Sequence, residues 1–142
     1  AVGGVADPYP SPYNETGFAW FSQRPGYLQD LRFVSPDHSE SINMGARTIN
    51  GSKFDMQFPT FELPADGLQA WGLNGARNHP FHLHVYHVQM NGSCGNYEDG
   101  EYYDVIAENC DMLFDLDTRT STIYAGRTIM HCHILEHEDQ GA

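Results

Sequence analysis

The sequence has few positive charges and no long apolar run. Its 7 Lys and Arg stand against 19 Asp and Glu, which gives a formal net charge of -12. This balance argues against a nucleic-acid partner or an anionic membrane surface. No stretch reaches the roughly 18 to 20 apolar residues that cross a bilayer. Internal repeats and low-complexity tracts are also absent, so we predict one acidic domain, which suits the length of 142 residues.

Cysteine is scarce, and its three copies lie in two different environments. Cys94 and Cys110 fall in a polar segment rich in Gly and acidic residues, whereas Cys132 stands between two histidines. We therefore predict a disulfide between Cys94 and Cys110 and a metal-binding role for Cys132. N-glycosylation patterns begin at Asn14, Asn50 and Asn91. The patterns and the disulfide together favour an extracellular glycoprotein.

Signals for helices are few. Residues 1–41 are rich in Pro, Gly and Tyr and are predicted to be an irregular lead-in. From residue 42 short apolar runs alternate with turns, a pattern typical of an antiparallel sandwich or barrel. Asn50-Gly51 is the strongest hairpin signal, because both central positions of such a turn need positive φ. The predicted strands are Thr48–Ile49, Lys53–Phe58, Gly67–Leu73, Phe81–Met90, Glu101–Ile106, Met112–Leu116 and Thr128–Cys132.

Seven of the eight histidines form two clusters, which are His79, His82, His84 and His87, then His131, His133 and His137. In an extended strand successive side chains point to opposite faces. His82 and His84 would then share one face. His131 and His133 would also share a face, with Cys132 on the opposite one. One strand could therefore serve two metal sites.

The residue types indicate copper. A thiolate with two imidazoles is the ligand set of a blue-copper electron-transfer centre, and Cys132, His137 and His79 could supply it. Zinc is the main rival because it binds the same donors. Structural zinc sites usually take paired thiolates, however, and this cluster contains one.

The two motifs resemble the C-terminal copper signature of multicopper oxidases such as laccases and bilirubin oxidases. They read His79-Pro-Phe-His-Leu-His84 and His131-Cys-His-Ile-Leu-Glu-His137-Glu-Asp139. The resemblance implies a cupredoxin-type Greek-key β-sandwich over residues 42–142, with its final strand expected beyond the printed end. It also implies copper as the cofactor, O2 as one substrate and a small reducing molecule as the other.

The resemblance assigns a role to each motif position. His79, Cys132 and His137 become ligands of type 1 copper, where a substrate loses one electron at a time. His82 becomes a type 2 copper ligand, and the type 3 copper ligands are His84, His131 and His133. Glu138 follows a ligand and corresponds to an acid that passes protons to O2 in some relatives, or it is a solvated acid. Asp104 has the same two readings, a group behind a ligand or a strand-edge acid.

The same resemblance leaves the site incomplete. The trinuclear cluster of the family takes four His-x-His pairs, and this chain has two. An N-terminal cupredoxin domain of the same or another chain is expected to supply the rest, so the isolated chain is expected to be inactive. The axial position of type 1 copper falls on Ala142, which has no donor atom. An alternative function is a cupredoxin module with a structural or electron-transfer role in an extracellular assembly.

Overall fold

A computed structural model describes residues 28–64, 67–116 and 126–142. Within these ranges, eight strands form two sheets, with the orders β1-β2-β7-β4-β5 and β6-β3-β8. The strands are β1 His38–Asn43, β2 Leu68–Asn74, β3 Phe81–Leu83, β4 Val88–Met90, β5 Tyr102–Tyr103, β6 Val105–Ile106, β7 Asp111–Asp115 and β8 Met130–Cys132. A 3-10 helix spans Leu31–Phe33, and the short helix α1 spans Leu135–Glu138. No helix in these ranges is long and apolar enough to cross a bilayer.

The main core lies between the two sheets. Trp71 of β2 and Phe114 of β7 belong to the same buried cluster as Phe81 and Ile106 of the smaller sheet. The outer face of the larger sheet is covered by the 3-10 helix, whose Leu31 packs with a second, smaller buried cluster. Both faces of the larger sheet are thus partly buried. The predicted all-β sandwich is confirmed.

Two of the predicted strands each split into two. The run Phe81–Met90 forms β3 and β4, and the run Glu101–Ile106 forms β5 and β6. In both cases the chain leaves one sheet and enters the other. Val85 marks the first crossing with a φ of 74°, a conformation that a β-branched residue rarely adopts. The apolar alternation of the first run changes phase between Val85 and Tyr86, and the second run does not alternate, but the prediction of continuous strands did not take these signals into account.

Strand β1 was not predicted and begins at His38, inside the predicted lead-in; residues 1–27 of that lead-in lie outside the described ranges. Only Ile42 of β1 is buried, so the strand lacks the apolar alternation that would have marked it. It pairs in parallel with β2. Conversely, the predicted strands Thr48–Ile49 and Lys53–Phe58 are wrong. Ile49 forms isolated bridges, and residues 53–58 are exposed and outside every strand in the described ranges.

The predicted turn and the predicted disulfide are confirmed. Asn50 and Gly51 have φ values of 52° and 77°, and Cys94 is bonded to Cys110. The Asn50 side chain also covers the free edge of β1. Its Oδ1 accepts the N–H of Asn43 at 2.7 Å, and its Nδ2 donates to the carbonyl of Ser41 at 3.2 Å. These bonds satisfy edge groups that would otherwise be open to another strand.

A buried glutamine attaches the 3-10 helix to the larger sheet. Gln89 of β4 is fully buried; its Oε1 accepts the N–H of Leu31 at 2.7 Å, and its Nε2 donates to the carbonyl of Gly100 at 2.7 Å. The same Nε2 donates to the Asp30 carboxylate at 3.1 Å. Gln69 of β2 is also fully buried, yet in the described part of the chain its amide has no hydrogen-bond partner.

These two glutamines give a matched test of the fold. Replacing Gln89 with Met should lower the free energy of unfolding by about 2 kcal/mol, because the buried N–H of Leu31 loses its acceptor and the hydrogen bond from the amide to the Gly100 carbonyl is lost. Gln69→Met should leave stability unchanged or raise it, since it removes an amide that is already unpaired. Urea denaturation measures both variants. Equal destabilisation by the two substitutions would contradict this assignment of the hydrogen bonds.

Candidate metal centre

The pairing of β3 with β8 brings the two histidine motifs together. The strands are antiparallel, with Phe81 opposite Cys132 and His82 opposite His131. Phe81 and Cys132 point into the core, whereas His82 and His131 lie on the other face. Residues just before β3 and just after β8 therefore meet at one end of the sheet. These are the turn that carries His79 and the helix α1 that carries His137.

The first group consists of His79, Cys132 and His137, whose ligand atoms converge at this end. The Nδ1 atoms of the two histidines are 3.1 Å apart, and the Sγ of Cys132 is 3.6 Å from Nδ1 of His137. Nitrogen and sulfur ligands lie about 2.0 and 2.3 Å from a metal such as zinc, so donors sharing one ion are roughly 3 to 4 Å apart. The spacing in the first group fits a single bound ion.

Burial disfavours the charged forms of two members of the first group. Cys132 is fully buried, and burial raises the pKa of its thiol, with the charge of Glu138 adding to the effect and the N–H of Ile134 opposing it. Burial lowers the pKa of His79, and the nearby His137 lowers it further. Both effects favour the neutral imidazole, which is the form that binds metals. A metal ion would favour loss of the thiol proton and offset the buried negative charge.

The second group consists of His82, His84 and His131, on the opposite face of the same strand pair. Nε2 of His84 is 3.1 Å from Nε2 of His131, the spacing expected of two ligands on one ion. Nδ1 of His131 is 3.1 Å from the carbonyl of Cys132, and Nδ1 of His82 is 2.8 Å from the carbonyl of Asp104. These contacts leave Nε2 of the His82 and His131 rings available to bind a metal ion. In the first group, by contrast, the two histidines direct Nδ1 toward the shared site.

The remaining predicted residues lie beside these groups. The His133 ring is 5.6 Å from that of His82, but His133 is not part of the converging set. A Glu138 carboxylate oxygen is 3.5 Å from Nδ1 of His131. Ala142 is buried; its N–H donates to the carbonyl of His137, and its carbonyl accepts the N–H of Cys132. All seven predicted ligands and Glu138 therefore lie in one region, and their individual metal roles stay predictions.

An open cavity of about 500 Å³ adjoins the second group. His131 and Glu138 line it together with apolar residues that include Phe54 and Ile129. The side chain of Glu138 is 46% exposed, so its carboxylate is accessible to solvent. Sequence reasoning did not identify this cavity, because the segments that form it are far apart in the chain.

Val85, directly after His84, is a second feature that the sequence did not reveal. Its φ of 74° is unfavourable for valine, and the residue is 61% exposed, so burial offsets little of the strain. Backbone strain of this kind often occurs at functional sites, where the surrounding structure enforces it. Here it accompanies the turn that carries the chain away from His84 and into the other sheet.

We expect Val85→Gly to stabilise the protein by up to about 1 kcal/mol. A left-handed conformation costs a residue with a side chain roughly 1–2 kcal/mol, and glycine avoids this cost. The greater freedom of glycine in the unfolded state opposes this gain by about 0.4–1 kcal/mol. The control is Val34→Gly, since Val34 is similarly exposed but has a φ of -108°. That variant should be less stable than the parent. Thermal unfolding compares the two variants with the parent. A loss of stability in Val85→Gly would show that the backbone at Val85 is not strained.

Comparison with known proteins identifies the family. The multicopper oxidase family matches residues 27–142. A multicopper oxidase of Staphylococcus haemolyticus is 29% identical over an alignment of 103 residues, which covers 66% of this chain and 23% of that protein. A laccase of Pediococcus acidilactici has a similar structure, with a TM-score of 0.57, 26% identity, and coverage of 76% of this chain and 26% of that one. A multicopper oxidase of Campylobacter jejuni, described as a metallo-oxidase, has a TM-score of 0.54 at 20% identity. The match covers 75% of this chain and 29% of the Campylobacter jejuni chain.

The chain belongs to the multicopper oxidase family, since the match extends over most of its length. The structural similarity agrees with a sandwich of the cupredoxin type. Membership implies copper as the metal, and the donors and spacing of the first group suit it. The chain spans about a quarter of the length of the relatives it matches.

Proposed function

We propose that this chain is the C-terminal copper-binding domain of a secreted, laccase-like multicopper oxidase. In this proposal the first group holds type 1 copper, and the second group, with His133, contributes half of a trinuclear cluster. The observation that carries the proposal is the convergence of Cys132 Sγ with the Nδ1 atoms of His79 and His137. One thiolate with two imidazoles is the ligand set of blue-copper centres.

The connection between the two groups supports the same function. Cys132 points into the core and belongs to the first group, whereas its neighbour His131 belongs to the second group. A single peptide bond therefore joins ligands of both groups. When bound, copper would supply one-electron oxidation at the first group and, together with ligands from elsewhere, reduction of O2 to water at the second. The protein provides a short covalent route between them.

The missing half of the cluster defines the partner. A second cupredoxin domain, in the same chain or another, would add the remaining histidine pairs. The relatives support this because the chain covers only 23% of the Staphylococcus haemolyticus protein. The reducing substrate would be a small molecule such as a phenol, or a metal ion. The disulfide between Cys94 and Cys110 favours an extracellular location.

Glu138 is the proposed proton donor for O2 reduction. Its carboxylate lies 3.5 Å from His131 and lines the open cavity. Reduction of O2 to water consumes protons as well as electrons. A partly exposed carboxylate at this position can take a proton from solvent and release it beside the second group.

The first test is the colour of the copper-loaded chain. We expect the intense blue absorption of a copper-thiolate bond, and Cys132→Ser should abolish it because serine cannot supply the sulfur. His87→Ala is the control, since His87 is exposed and belongs to neither group; it should stay blue. A colourless copper-loaded parent chain would refute the type 1 assignment.

The second test addresses the incomplete cluster. The isolated chain, loaded with copper and given a phenolic donor, should consume no O2, because half of the predicted cluster ligands are absent. The full-length parent oxidase should consume O2 under the same conditions, which an oxygen electrode measures. Turnover by the isolated chain would show that no partner domain is needed. A blue but inactive parent oxidase would favour a role in electron transfer alone.

A further inference from the structure

Asp104 lies where the chain crosses from the larger sheet to the smaller one. It stands between Tyr103, the last residue of β5, and Val105, the first residue of β6. In β6, Val105 pairs with His82 of β3, so the backbone of Asp104 is held next to the His82 ring. Its position is therefore set by the pairing of β6 with β3 and not by a free loop.

Two groups of Asp104 face the same ring nitrogen. The main-chain carbonyl lies 2.8 Å from Nδ1 of His82, a hydrogen-bonding distance, and the carboxylate Oδ1 lies 3.4 Å from the same atom. Both are acceptors, so Nδ1 must carry the proton. Nε2 of His82 then keeps its lone pair and is the atom available to the second group.

We propose that Asp104 is a positioning residue of the second group, acting through His82. It fixes the tautomer and orientation of that ring, and its carboxylate increases the donor strength of Nε2 toward a metal ion. The effect on metal binding rests on the proposed copper function. The tautomer itself, however, is a property of the metal-free chain.

His131 has a similar arrangement, which supports this reading. Its Nδ1 is 3.1 Å from a main-chain carbonyl, that of Cys132, with the carboxylate of Glu138 at 3.5 Å. Two histidines of one group thus each have a backbone carbonyl and a carboxylate beside Nδ1. Carboxylates and carbonyls behind metal-binding histidines commonly orient the ring and raise its basicity.

The solvent exposure of Asp104 limits the size of the effect. Its side chain is 66% exposed, so water screens the carboxylate charge. Partners behind a ligand typically change metal affinity by about 10- to 100-fold. We therefore expect a change at the lower end of this range when the charge is removed.

Asp104→Asn tests the proposal, because it removes the charge but keeps the main-chain carbonyl. In the metal-free parent chain at alkaline pH, nitrogen-15 NMR should show His82 protonated at Nδ1, although free histidine favours Nε2–H. The variant should shift this ratio toward Nε2–H. Copper titration should show about 10-fold weaker binding at the second group, with the blue absorption of the first group unchanged.

Glu40→Gln is the matched control, since Glu40 is an exposed acid on β1 that belongs to neither group. It should behave as the parent chain does. The proposal is overturned if His82 carries its proton on Nε2 in the parent, or if Asp104→Asn matches Glu40→Gln in its tautomer ratio. Absence of a blue centre would instead contradict the proposed function, and the tautomer result would still decide the role of Asp104.

Discussion

The antiparallel pairing of β3 with β8 is the contact on which both histidine groups depend. It places Phe81 opposite Cys132 and His82 opposite His131. Since side chains alternate across a strand, this register sends Cys132 toward the core and His131 to the other face. A shift by one residue would exchange the two faces and separate the thiol from His79 and His137. Two sites of different chemistry thus follow from one register.

The surrounding sandwich gives the two sites different environments. The first group lies against the main core, where burial lowers the pKa of His79 and raises the pKa of the Cys132 thiol. The second group lies on the face away from this core, with exposed His84 and an open cavity beside it. A buried centre suits electron transfer, and an open one suits a cluster that needs further ligands, protons and a small substrate.

The motifs carried most of the information about the site, because strand alternation and ligand chemistry act on residues close in sequence. The Cys94–Cys110 disulfide could also be predicted, because the sequence around Cys132 differs from the sequence around the other two cysteines. Sequence reasoning could not find β1, whose single buried residue Ile42 leaves no apolar period. Nor did it detect the crossings at Val85 and Asp104, which depend on pairing with distant strands, although the apolar alternation changes phase between Val85 and Tyr86. The carbonyl of Asp104 beside His82 is likewise a tertiary contact without a sequence pattern.

X-ray absorption at the copper edge tests the central claim most directly, on the chain loaded with one equivalent of copper. We expect a first coordination shell of one sulfur and two imidazole nitrogens, contributed by Cys132, His79 and His137. A shell that contains only nitrogen and oxygen would contradict it. That result would mean that the pairing of β3 with β8 does not assemble the thiolate centre.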